Sequence, residues 1–208
     1  MQSTSTEQPI TLYHRAPSRS AMARWMLEEL GVPYSVRNID VTAPDHPSAE
    51  LLALNPMGKV PVLTHGDTVI SEVAAICCYL ADRFPDAGLA PAIDDPRRGP
   101  YLKWLFFAPG CIEPAVIHKA MSWPDAPRGM LGWASYADTM RVLVDAAVNA
   151  TPWLLGEQFT AADVVVGGQV RWGLKFGTVP KHPALEAYAH RLSERPALRR
   201  QIEFDLAT

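Results

Sequence analysis

Two serines, a glutamate and a proline are the residues of this 208-residue chain whose types and spacing could do chemistry. Ser18 and Ser20 flank Arg19 just before a run of apolar residues at helical spacing. A hydroxyl at a helix start either accepts a backbone N–H as a cap or donates to an anion held at the positive end of the helix dipole. Glu72 follows Ser71 at the start of a second apolar helical run. A carboxylate there can fix an ammonium, while the unpaired N–H groups beside it take a carboxylate. Pro61 stands inside Val60-Pro61-Val62-Leu63, which otherwise reads as strand. A proline cannot donate to a ladder, so this one signals an edge, a bulge or a special turn.

Other chemistries lack their residues. The six histidines show no paired ligand spacing, so no metal is expected. The three cysteines, Cys77, Cys78 and Cys111, form no C-x-x-C and make a poor disulfide framework. Cys77 and Cys78 fall in an apolar helical run, where packing is the favoured reading. No phosphate-binding glycine loop occurs, and Gly167-Gly168 reads as a close-packing site within a helix. A formal charge of -3 gives no basic footprint for nucleic acid or an anionic membrane. No apolar stretch approaches the length of a membrane span. Met1 to Gln8 are polar, read as a loose leader, and lack the pattern of a secretory signal, so the cytoplasm is the expected compartment.

The elements that must position these residues follow from periodicity. Ile10 to His14 reads as a strand, followed by a helix capped by Ser18 or Ser20 and running to Leu30. Met22, Trp25, Met26 and Leu30 give that helix one apolar face, and Gly31 with Pro33 stops it. Tyr34 to Val41 reads as strand and Ala49 to Leu54 as a short helix. A hairpin closes at His65-Gly66-Asp67, with Thr68 to Ile70 returning. Ser71 is expected to cap a helix to Arg83, with Glu72 in its first turn. Beyond a linker over 86–96, alternation disappears and helices are predicted over Arg97 to Met121, Tyr136 to Ala150, Thr160 to Phe176 and Pro183 to Glu194. Thr160-Ala161-Ala162-Asp163 is a capping-box-like start.

Three segments together resemble the cytosolic glutathione transferase family, in its bacterial type. They are Leu12-Tyr13 through Ser18-Arg19-Ser20 to Gly31, Asn55-Pro-x-Gly-Lys-Val-Pro-Val-Leu63, and Ile70-Ser71-Glu72-Val73 to Asp82. The resemblance implies an α+β thioredoxin-like N-terminal domain, βαβαββα, over residues 9–85. An all-α helical domain over 97–205 would follow, carrying the second-substrate pocket. It further implies glutathione as co-substrate, a homodimer and a role in detoxification.

The resemblance also assigns roles. Pro61 would follow a cis bond and free the main chain of Val60 to hold the cysteinyl backbone of glutathione as an added strand. Lys59 would reach a terminal carboxylate. Glu72 and the Val73 N–H would hold the γ-glutamyl end, although the family usually has Ser or Thr where this chain has Val73. Ser18 is placed like the catalytic serine of the theta and zeta classes, with Ser20 the runner-up. Arg19 stands where beta-class enzymes carry cysteine, which argues against mixed-disulfide chemistry there. Tyr13 is read as strand packing. Trp104, Phe107, Cys111 and Trp172, with Trp123 and Phe176, are candidates for a hydrophobic electrophile pocket, some of them as scaffold. The implied reaction is attack of glutathione thiolate on a hydrophobic electrophile. Disulfide reduction, dehalogenation and isomerisation stay open, as does a non-enzymatic ligand-binding role.

Overall fold

The computed structural model describes residues 8–207. The polar leader expected over Met1 to Gln8 lies, apart from Gln8, outside them. The chain divides into two compact units. One runs to Leu80 and regains the chain from Ala197, and the other spans Ala81–Pro196.

The first unit is built on a four-stranded sheet of order β2-β1-β3-β4. Its strands are β1 (Ile10–His14), β2 (Ser35–Asn38), β3 (Val62–His65) and β4 (Thr68–Ser71). β2 runs parallel to β1, while β3 is antiparallel to both β1 and β4. The helices are α1 (Ser20–Leu30), α2 (Ala49–Leu54) and the start of α3 (Val73–Arg83). This is the thioredoxin-like arrangement that the resemblance implied. Its core is Leu12, Trp25, Met26, Leu27, Leu63 and Ile76, all fully buried. Gly31 ends α1 as expected, at φ 65, with its N–H on the Leu27 carbonyl.

Two local expectations are corrected. Ser71 does not cap α3; it is the last residue of β4, paired with Val62. Glu72 therefore precedes the helix instead of lying in its first turn. The second strand is shorter than Tyr34 to Val41, keeping only the four residues that pair with β1.

A helix that the periodicity had not marked, α9 (Pro196–Leu206), belongs to the first unit by its contacts. The sequence division had counted its residues in the helical domain of 97–205. Arg200 Nε sits 2.7 Å from Glu28 Oε2, and the Arg24 guanidinium lies 4.3 Å from the centre of the Phe204 ring. These contacts bury the side of α1 that the one-face reading left to solvent, and Arg24 itself is only 6% exposed.

In the helical unit the helices are α4 (Arg98–Phe107), α5 (Glu113–Ala120), α6 (Tyr136–Asn149), α7 (Ala161–Phe176) and α8 (Pro183–Ser193). The single helix expected over Arg97 to Met121 is interrupted by a π-helical turn, Ala108–Ile112. Pro109 lies in that turn and Pro114 just after it, and each lacks the N–H that an uninterrupted α-ladder needs. α7 packs on α4 and α8, and two of its glycines admit close neighbours, Leu192 of α8 and Val179 of the loop that follows α7. A Cβ on Gly167 would sit 2.4 Å from Leu192 Cδ1, and one on Gly173 would sit 2.1 Å from Val179 Cγ2.

The capping box at Thr160 and Asp163 is present. Asp163 accepts the N–H groups of Leu154 and Thr160, both at 3.0 Å, and the Tyr188 hydroxyl at 2.8 Å. Burial pushes its carboxyl above the ordinary value, and these donors oppose that rise. Asp163→Ala would strand the same donors in the interior. We expect it to lower the unfolding free energy by about 2–4 kcal/mol, read from the midpoint of a urea titration.

Candidate active site

β1 delivers its last residue, His14, into the interior, where it is fully buried. From there the chain passes the cis peptide Ala16–Pro17 and enters α1 through a tight turn. Ala21 N–H bonds the Ser18 carbonyl and Met22 N–H the Arg19 carbonyl, both at 3.1 Å. Arg19 occupies the cap position, and neither serine serves as the side-chain cap of α1. Ser18 Oγ instead accepts the Ser20 N–H at 3.1 Å and meets Ser20 Oγ at 2.6 Å. Ser18 is half-buried and faces a cleft, while Ser20 is fully buried behind it.

The opposite wall of the cleft is the loop before β3. Asn55, almost fully buried, shapes it with its side chain. Its Nδ2 donates to the Lys59 carbonyl at 2.9 Å, and its Oδ1 accepts the Met57 N–H at 3.1 Å. Gly58 turns at φ 62, with the Pro47 ring occupying the space a Cβ would need. The Val60–Pro61 peptide is cis, and Pro61 is buried. Strand pairing begins only at Val62 on both sides, so the main chain of Val60 lies outside the ladder.

The cleft has a volume of about 330 Å³ and is lined by Ser18 and Val60 together with Arg15, Arg19, His46 and Lys59. It can thus offer cations to an acidic ligand and a hydroxyl to an anion. Arg15, half-buried, donates Nη1 to the Ala16 carbonyl. Tyr13 is not part of the group. Its hydroxyl donates to Glu50 Oε1 at 3.2 Å, and partial burial together with that carboxylate pushes its pKa up.

Glu72 is exposed and takes φ 68, a left-handed conformation uncommon for a residue with a Cβ. Such backbones persist where the surroundings impose them, and they cluster at ligand sites. Its carbonyl accepts the Ile76 N–H at 2.9 Å, so Glu72 stands at the head of α3. Val73 follows with its side chain buried at 8% exposure. Neither residue lines the cleft that holds Ser18, Lys59 and Val60.

In the helical unit, Trp104 and Phe107 meet edge to face with ring centres 5.4 Å apart, and Lys103 Nζ lies 3.6 Å above Trp104. Trp104 lines a cleft of about 300 Å³ with Lys103, Val142, Asp145 and Leu154, which does not include Phe107, Cys111 or Trp172. Cys111 lies in the π-helical turn, and burial raises its thiol pKa. Cys77 is fully buried and its thiol is pushed far up, which suits packing. Trp172 pairs with the exposed Phe176 at 5.7 Å, and Trp123 is exposed on the loop after α5. Among the described residues no cluster of His, Cys, Asp or Glu could hold a metal ion, and no helix is long and apolar enough to cross a membrane.

Sequence reasoning missed His14, Asp205 and His46. His14 reads as a strand end, and Asp205 lies in a helix the periodicity had not marked. His46 precedes the cis proline Pro47 in the segment between β2 and α2. Nothing local to these positions announces a site.

A family model described as "Glutathione S-transferase, N-terminal domain" matches residues 18–83. The chain is 30% identical over 162 residues to an uncharacterized GST-like protein of Escherichia coli (strain K12), YncG, covering 74% of this chain and 77% of that protein. A crystal structure of a glutathione transferase from Methylococcus capsulatus matches with a TM-score of 0.78 at 25% identity, covering 96% of this chain and 100% of the other. A sphingomonad glutathione S-transferase complexed with glutathione matches with a TM-score of 0.76, also at 25% identity, over 95% and 100% of the two chains.

The cleft wall depends on Gly58. A Cβ there would meet Pro47 Cβ and Cγ at 2.8 Å while the backbone held a positive φ. Gly58→Ala is therefore expected to destabilise the protein by about 1–3 kcal/mol, measured by chemical denaturation.

Proposed function

Because the chain belongs to the glutathione S-transferase family, we propose that it binds glutathione in the cleft beside Ser18 and presents it as a thiolate. The observation that carries this reading is the Ser18 hydroxyl, half-exposed in a cationic cleft at the head of α1. A free thiol ionises near pH 8.5, so at neutral pH only a few per cent is nucleophilic. The dipole of α1 and the Ser18 O–H both favour the thiolate.

The remaining contacts divide along the tripeptide. The Val60 main chain beside the cis Pro61 pairs with the cysteinyl backbone as an added strand. Lys59 takes a terminal carboxylate. Glu72 fixes the γ-glutamyl ammonium, and the N–H of Val73 at the start of α3 takes the neighbouring carboxylate. Val73 has no hydroxyl to add, which removes one hydrogen bond worth about 1 kcal/mol net. The thiolate then attacks a hydrophobic electrophile; Trp104, Phe107, Cys111 and Trp172 stay as the candidates named from the sequence for holding it, although only Trp104 lines a described cleft. Positioning and thiolate stabilisation are the protein's contributions. The working form in this reading is a cytoplasmic homodimer. The buried apolar Val73 is the feature that keeps a ligand-holding role as the second reading.

Ultraviolet titration of the protein with glutathione across pH tests the reading directly. The expected result is saturable thiolate absorbance with a lowered pKa. Ser18→Ala is expected to raise that pKa by about one to two units; an unchanged value would remove Ser18 from the role. Glu72→Gln is expected to weaken glutathione binding about tenfold or more. Binding without ionisation would favour the ligand-holding reading, and absence of binding would overturn both.

A further inference from the structure

Behind Ser18 stands a chain of polar groups that thiolate stabilisation alone does not use. Ser18 Oγ is 2.6 Å from Ser20 Oγ, which is 2.8 Å from His14 Nδ1. On the other side of the ring, His14 Nε2 lies 3.1 Å from Asp205 Oδ1, within ion-pair distance but without the alignment of a hydrogen bond. The carboxylate is held in turn by Gln201 Nε2 at 2.7 Å and approached by Arg24 Nη1 at 3.5 Å. His14 and Ser20 are fully buried, while the Asp205 side chain is 16% exposed. These residues all belong to the first unit.

A purely structural role for Ser20 would be to tie the turn together. Its Oγ does accept the Arg15 N–H at 3.1 Å and lies 3.2 Å from the Arg15 carbonyl. One hydroxyl proton cannot serve that carbonyl, Ser18 and His14 at once. The two shortest contacts are to Ser18 and His14, so the proton of Ser20 is shared along that line. The facing carboxylate of Asp205 favours a proton on Nε2. A ring with its single proton on Nε2 would present the Nδ1 lone pair to Ser20.

We propose that His14 accepts the thiol proton of bound glutathione through Ser18 and Ser20, and that Asp205 holds the imidazolium that results. The proposal rests on the reading of Ser18 as the hydrogen-bond partner of the thiol. In the step, the S–H bond breaks and its proton passes to Ser18 Oγ, whose own proton moves to Ser20 Oγ. The Ser20 proton moves to His14 Nδ1. The products are a thiolate accepting the Ser18 O–H and an imidazolium whose two N–H groups face Ser20 and Asp205. The total charge of the site is unchanged by the transfer. After the thiolate is consumed, the proton leaves by the same wire to the cleft. The logic is that of a base oriented by a carboxylate, lengthened by one hydroxyl. Asp205 from α9 and, behind it, Arg24 from α1 are the charged groups in the described contacts on this side of His14, while β2 and the residue after it contribute the uncharged Asn38 and Ile39.

Nitrogen NMR of histidine-labelled protein tests it. Saturation with reduced glutathione should move both His14 ring nitrogens to imidazolium positions as thiolate absorbance appears. S-methylglutathione, which has no thiol proton, should leave the ring neutral. Ser20→Ala should cut the wire: the ring stays neutral with glutathione, and the thiolate fraction at neutral pH falls about tenfold. His14→Asn, which keeps a polar atom toward Ser20 but cannot take a proton, should do the same to the thiolate. It should also release one proton to buffer for each thiolate formed, where the wild type releases none. A thiolate formed while His14 stays neutral overturns the relay even if Ser18→Ala has raised the thiol pKa. If Ser18→Ala leaves that pKa unchanged, the reading of Ser18 fails first and the relay with it.

Discussion

An imidazole sealed from water has to find its polar partners inside the fold. His14 bonds Ser20 at the head of α1 and sets its other nitrogen 3.1 Å from the Asp205 carboxylate on α9, at ion-pair distance but without hydrogen-bond alignment. That need joins three segments: the end of β1, the turn into α1 and the C-terminal helix. The turn between His14 and Ser20 is what places Ser18 in the cleft. α9 belongs to the first unit for the same reason, together with the Arg200–Glu28 pair and the stacking of Arg24 on Phe204. Had the strand ended in an apolar residue, Asp205 would have lost its imidazole partner, and Ser20 would have bonded only within its turn.

Backbone does much of the shaping on the other wall. Asn55 spends its amide on the main chain of Met57 and Lys59, and Gly58 supplies the positive φ that the turn demands. Together they leave Val60 outside the ladder, next to a cis bond. Glu72 adds a left-handed residue between β4 and α3, so that the helix starts at Val73 with its first N–H groups unused by the helix ladder. Recognition surfaces built this way depend on chain path more than on side-chain type, which suits a peptide ligand.

The helical unit is held by different means. Gly167 lets α7 approach α8, and Gly173 lets the loop after α7 fold back on it, each where a Cβ would collide. Asp163 ties the start of α7 to Leu154 and Tyr188 through a buried carboxylate whose donors offset its desolvation. The π-helical turn between α4 and α5 sets Cys111 in an irregular stretch of the helix.

Much of this was legible in the sequence, because its determinants are local. Apolar spacing marked α1, Gly31 its end, His65-Gly66-Asp67 the hairpin, and Thr160 with Asp163 the capping box of α7. Ser18, Lys59 and Val60 were also named from their motifs, and the structure brings those three to one cleft. What the sequence alone determined is thus the set of elements and the residues that mark their ends. The tertiary structure decided which polar groups face each other. Arg24 and Asp205 stand 181 positions apart, and His14 meets that same aspartate. The head of α3 likewise moved past Ser71 because pairing with Val62 claimed that serine for the sheet. Periodicity reports which face of an element is apolar. It carries no record of the partner that covers the other face, and that partner is what gives a buried histidine or arginine its role.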